Sequence, residues 1–74
     1  MNIHFSTDII INGKPEVYNV IFEQDAYRFI PESGSGEPFL LKREDDEWHA
    51  EGAINDIAKT QAISALDKFL LSQH

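Results

Sequence analysis

Cysteine is absent from this 74-residue chain. Disulfides, thiolate metal sites and thiol nucleophiles are therefore excluded from any account of its stability or chemistry. Long apolar runs are absent too, since no stretch approaches the ~20 residues that a membrane-spanning helix needs. Met1-Asn2-Ile3-His4 lacks a basic region leading into an apolar one, so a soluble, cytoplasmic protein with no membrane partner is the expectation. Basic residues are scarce: six Lys and Arg stand against thirteen Asp and Glu, for a formal charge of −7. That balance favours solubility and opposes non-specific attraction to nucleic acid or anionic lipid. A single domain of this size buries only ~60% of its unfolded surface, which leaves a thin core and little room for an enclosed catalytic pocket.

What is present is a change of rhythm. Residues 3–52 alternate apolar and polar with period two, and residues 54–72 switch to helical spacing. In the first strand, 3–11, Ile3, Phe5, Thr7, Ile9 and Ile11 fall on one side, with His4, Ser6, Asp8 and Ile10 on the other. Asn12-Gly13 is a strong hairpin signal, because both residues tolerate positive φ. A turn centred on Gly13-Lys14 would pair Ile9 with Tyr18 and Phe5 with Phe22, keeping the aromatic side coherent. Further strands are expected over 16–23, 26–30, 39–43 and 48–52, with a turn at Gln24-Asp25 and another at Asp45-Asp46. Between the third and fourth strands, residues 32–38 are rich in Ser, Gly and Pro and read as a flexible loop.

The helix is expected over 55–72, with Asn55 or Asp56 capping its first turn. Ile54, Ala58, Ala62, Ala65, Leu66, Phe69 and Leu70 form an apolar stripe, while Lys59, Gln61, Ser64, Asp67 and Lys68 read as ordinary solvated surface. Its ~25 Å length matches the ~24 Å width of five strands, so a helix crossing the whole sheet is one consistent arrangement. The fold class that follows is α+β: a four- to five-stranded antiparallel meander with one C-terminal helix packed on one face.

One helix covers one face. The aromatic side, with Phe5, Tyr18, Phe22, Tyr27, Phe29, Phe39 and Trp48, is the expected buried one. The opposite side then carries Ile10, Val17, Ile21, Ile30 and Leu40, more aliphatic surface than a solvated sheet face normally shows. Single exposed aliphatics are common on strands, but five on one side read as an interaction face. Cations concentrate there as well. If Phe29 faces Leu41, Arg28 lies opposite Lys42, and a turn at Asp45-Asp46 sets Lys42 opposite His49. A row Arg28, Lys42, His49 would be self-repelling unless an anion or acidic partner compensated it.

Catalytic and metal motifs are missing. His4, His49 and His74 stand apart, without the i, i+4 spacing of a zinc site. His49-Ala50-Glu51 has the H-x-E order of a nucleoside deaminase but lacks the cysteine pair. The acidic run Glu44-Asp45-Asp46-Glu47 lacks the alternating ligands and the glycine of a calcium loop. Gly34-Ser35-Gly36 has neither the lysine of a phosphate-binding loop nor the frame of a serine nucleophile elbow. Trp48, Tyr18 and Tyr27 share the parity of the core. No catalytic residue, metal or cofactor is expected.

The strand-strand-strand-strand-helix order is similar in outline to the single-stranded nucleic-acid-binding repeats of the PUR type. That likeness implies a nucleic-acid or anion binder using Arg28, Lys42 and His49. The residues themselves favour a non-enzymatic module that self-associates or binds a protein through the uncovered face. A third reading is an acidic mimic of nucleic acid that occupies a basic partner.

Overall fold

Three tight turns organise the sheet. The computed structural model describes residues 3–33, 36–52 and 54–72. It contains β1 (Phe5–Ile11), β2 (Lys14–Glu23), β3 (Ala26–Pro31), β4 (Phe39–Glu44), β5 (Glu47–Gly52) and α1 (Asp56–Ser72). The strands form one antiparallel meander in chain order, β1-β2-β3-β4-β5. Both central residues have positive φ at Asn12-Gly13 (53° and 78°), Gln24-Asp25 (54° and 62°) and Asp45-Asp46 (52° and 65°). This is the type I′ geometry, whose twist matches that of the flanking strands.

The first turn sits one residue earlier than a Gly13-Lys14 centre. Ile11 pairs with Lys14, Ile9 with Glu16, Thr7 with Tyr18 and Phe5 with Val20. Type I′ geometry explains the choice, because Asn and Gly accept positive φ at low cost and a lysine at the second centre would not. The register therefore slips by two residues, which leaves the paired side chains from Phe5 to Val20 on their expected faces. Pro15 pairs with Ile10, a position where no ladder bond between β1 and β2 needs its missing N–H.

The core lies between the aromatic face and the helix. Ile9, Tyr18, Val20, Phe29, Phe39 and Leu41 from the sheet meet Ala58, Ala62 and Leu66 from α1, all buried. Asn55 caps the helix: its Oδ1 accepts from the Ala58 N–H at 2.7 Å, while its carbonyl accepts from Lys59 at 2.9 Å.

The helix does not cross the sheet but runs antiparallel along β1. Its start lies beside Ile11, Tyr18 and Phe39. Gln61 bonds to Ile10, and Phe69 stacks on Phe5 with ring centres 4.4 Å apart. A ~25 Å helix fits the ~23 Å run of β1 as well as it fits the sheet's width, so length does not choose between the two arrangements. Ala58 and Ala62 let the helix backbone approach closely, and the Phe5–Phe69 stack anchors its far end.

Two expected positions change. His4 was expected beside Ser6 and Asp8 on the uncovered face, yet its ring lies 6.3 Å from Phe22 and 6.1 Å from Phe69, both residues of the helix side. Its N–H donates to the Val20 carbonyl while Phe5 is paired with the same residue, the two-against-one count of a β-bulge. Phe22 shares the parity of the core but sits at the end of β2, and it is 48% exposed. Of the expected 32–38 loop, Gly34 and Ser35 lie outside the described residues, as does His74.

Candidate interaction surface

The face away from the helix is set by the strand registers. β2 and β3 pair Asn19 with Ile30, Ile21 with Arg28 and Glu23 with Ala26. β3 and β4 pair Arg28 with Leu40, and β4 and β5 pair Leu40 with Glu51 and Lys42 with His49. Together these registers order the aliphatics. Ile10, Val17, Ile30 and Leu40 each stand one strand over and one pair along from the last, a diagonal across β1 to β4 that ends at His49 on β5. Diagonal neighbours on one face are close enough for side chains of this length to touch.

The members of the diagonal are unequally exposed. Ile10 and Val17 are 45% and 39% exposed, while Ile30 and Leu40 are half-buried. Ile21 lies beside the diagonal rather than on it and is already buried, as is Ala26. Arg28 stands opposite Ile21 and reaches along the strand to Glu23, with Nη1 donating to Oε1 at 3.0 Å. That reach spans the Ile21 and Ala26 positions, where an arginine stem provides apolar cover.

The expected cation row forms only in part. Lys42 faces His49, as the turn at Asp45-Asp46 implied. Arg28 faces Leu40 instead of Lys42, because Phe29 pairs with Phe39 rather than Leu41. The two phenyl rings stack at 4.7 Å and 11°, and that contact sets the register of the short β3–β4 ladder. Arg28 is therefore offset from the Lys42–His49 pair by one step and shares its charge with Glu23.

Two shallow hollows border the diagonal on its other flank. One, of about 360 Å³, is lined by Pro15, Glu16, Val17, Glu32 and Ser33. The second, of about 250 Å³, is lined by Arg28, Pro38, Phe39, Leu40, Glu51 and Gly52. The first holds Glu16 and Glu32 beside the aliphatics, and the second holds Glu51 with Arg28 at its border. The apolar diagonal thus separates a flank bearing Arg28 and Lys42, together with Asp8, Glu23, Glu44 and Glu47, from a flank bearing Glu32 and Glu51.

A larger cleft of about 710 Å³ lies at the turn end of the β1–β2 hairpin on the helix side, lined by residues that include Ile11, Lys14, Glu16, Tyr18 and Glu37. The Tyr18 hydroxyl donates to the Glu37 carbonyl at 3.2 Å. Burial, helped by the nearby Glu16 carboxylate, raises its pKa above 10.0. Among the described residues no three His, Cys, Asp or Glu side chains converge, and no helix is long and apolar enough to cross a membrane.

Two features escaped the sequence reading. Gln61, taken as solvated surface, donates to and accepts from the backbone of Ile10. Arg43 lies over the ring of Trp48 at 5.2 Å, and Trp48 meets Tyr27 edge-on at 5.9 Å. The Arg43–Trp48 pair was legible in principle, since the two residues flank the Asp45-Asp46 turn symmetrically. Nothing in the sequence marks Gln61.

No family model, curated protein or solved structure matches this chain. Five strands precede the helix, one more than the order on which the likeness to PUR-type repeats was drawn.

Proposed function

We propose that this domain is a non-enzymatic interaction module that self-associates through the sheet face opposite the helix. The observation that carries this reading is the apolar diagonal Ile10–Val17–Ile30–Leu40, with Arg28 and Lys42 on one side of it and Glu32 and Glu51 on the other. A two-fold axis along the diagonal lays the aliphatics of one copy on those of another. The same rotation brings the Arg28–Lys42 flank of each copy over the Glu32–Glu51 flank of the other. An isologous interface requires this self-complementarity, and a surface suited only to foreign partners does not. The hollow beside Val17, lined by Glu16 and Glu32, offers a cationic side chain of the other copy a recess with carboxylates in it. The offset of Arg28 from Lys42 and its ion pair with Glu23 favour this reading over a phosphate-binding row.

Sedimentation equilibrium across the micromolar range tests the proposal. The wild-type protein is expected to form a dimer, and Val17→Asp and Leu40→Asp are each expected to give monomers with unchanged far-ultraviolet circular dichroism. A wild type that stays monomeric throughout, or variants that stay dimeric, would overturn it.

A further inference from the structure

The two edges of the sheet are treated differently. On β1 the backbone groups of Ile10 point out of the ladder, and both are occupied: Gln61 Oε1 accepts from the N–H at 2.8 Å and Nε2 donates to the carbonyl at 3.0 Å. The helix thus occupies that edge at Ile10 with a side-chain amide standing in for a neighbouring strand, while among the described residues the outward backbone groups of Ser6 and Asp8 have no bond. On β5, the two-residue turn makes Glu44–Glu47 a hydrogen-bonded pair. Alternation then turns the groups of His49 and Glu51 toward β4 and those of Trp48 and Ala50 outward. The carbonyl of Gly52 accepts from the Ile54 N–H at 3.0 Å. Among the described residues nothing bonds to the outward groups of Trp48 or Ala50.

Exposed edges are normally blunted by lysine, proline, a bulge or a cover. β5, with the sequence EWHAEG, has neither lysine nor proline. Its charges are Glu47 and Glu51, both on the face away from the helix, with His49 between them; Trp48 and Ala50 lie half-buried on the other face. These glutamates select among occupants. Two β5 edges paired antiparallel about His49, with matching faces, would set Glu47 of each copy against Glu51 of the other, an unfavourable arrangement at both ends. A basic strand in the same place meets opposite charge at both ends.

We infer that the β5 edge is a strand-addition site for an extended peptide alternating basic and apolar residues. Its backbone pairs with the N–H and carbonyl groups of Trp48 and Ala50. Its basic side chains lie opposite Glu47 and Glu51, and its apolar ones extend the core beside Trp48 and Ala50. The site shares Glu51 but no apolar residue with the proposed self-association face, and Glu47 and the outward groups of Trp48 and Ala50 belong to it alone.

The probes are two end-capped synthetic peptides of equal length, one alternating lysine with valine and one alternating glutamate with valine, titrated into the isotopically labelled protein. The lysine peptide is expected to shift the Trp48 and Ala50 amide resonances and slow their hydrogen exchange. It is expected to bind at least about tenfold more tightly than the glutamate peptide, a preference that Glu47→Lys reduces. Ala50→Pro removes one outward N–H at an edge position that tolerates proline, and it is expected to abolish binding while leaving the Ile10 and Gln61 resonances in place. Should that variant fail to fold, a lysine peptide N-methylated at alternate residues replaces it, with loss of binding expected. Equal binding of the two charge types, protection located away from Trp48 and Ala50, or undiminished binding of the N-methylated peptide would overturn the inference.

Discussion

The side-chain amide of Gln61 holds both backbone groups of Ile10, accepting at 2.8 Å and donating at 3.0 Å. One residue thereby orients the helix along β1 and shields the outward groups near the C-terminal end of that strand. Gln61→Ala removes both bonds and is expected to destabilise the fold by about 1–2 kcal/mol, since bonds at an exposed edge compete with water. Amide exchange provides the specific check. The Ile10 N–H should lose protection in the variant, and an unchanged Ile10 exchange rate would show that the helix position does not depend on this contact.

Tyr18 links the sheet to the segment after β3 through its bond to the Glu37 carbonyl. Burial raises its pKa above 10.0, so the unfolded chain releases this proton at lower pH than the folded one. The stabilisation is complete below pH ~10 and is lost as the pH rises toward the folded-state pKa. Spectroscopic titration should show a late phenolate step that Tyr18→Phe removes. If that variant leaves the last step in place, the hydroxyl is not buried as described.

Gln24 occupies the first centre of a type I′ turn at φ 54° without the short side chain that makes asparagine suitable there. Gln24→Asn is expected to raise stability by roughly 0.5–1 kcal/mol, measured by denaturant unfolding, with no change at the β1 or β5 edges. A destabilised variant would mean that Gln24 makes a compensating contact.

Side-chain parity was legible in the sequence because it survives errors of register. Placing the first turn one residue late moved the pairing of Ile9 from Glu16 to Tyr18, yet every residue of the hairpin kept its face. His4 is the exception, since a bulge breaks the period of two on which parity depends. The helix cap at Asn55 was equally legible, because a cap is a local arrangement of a side chain and the next turn's N–H groups.

Contacts between distant segments were not legible. The cation row required Arg28 opposite Lys42, and the stacking of Phe29 on Phe39 set the register otherwise. Likewise, helix length suited a path across the strands or along them, and the choice fell to Ala58, Ala62, Gln61 and the Phe5–Phe69 stack. The chain's own rhythm therefore determined the class of fold, the face that the helix takes and the residues left on the other face, since each depends on period and local turn chemistry. Tertiary structure alone decided that those residues form a diagonal with Arg28 and Lys42 to one side and Glu32 and Glu51 to the other, and that Gln61 occupies the β1 edge at Ile10 while the outward groups of Trp48 and Ala50 on β5 remain open. Those outcomes depend on which pairs far apart in sequence pack best, and no local pattern encodes that competition.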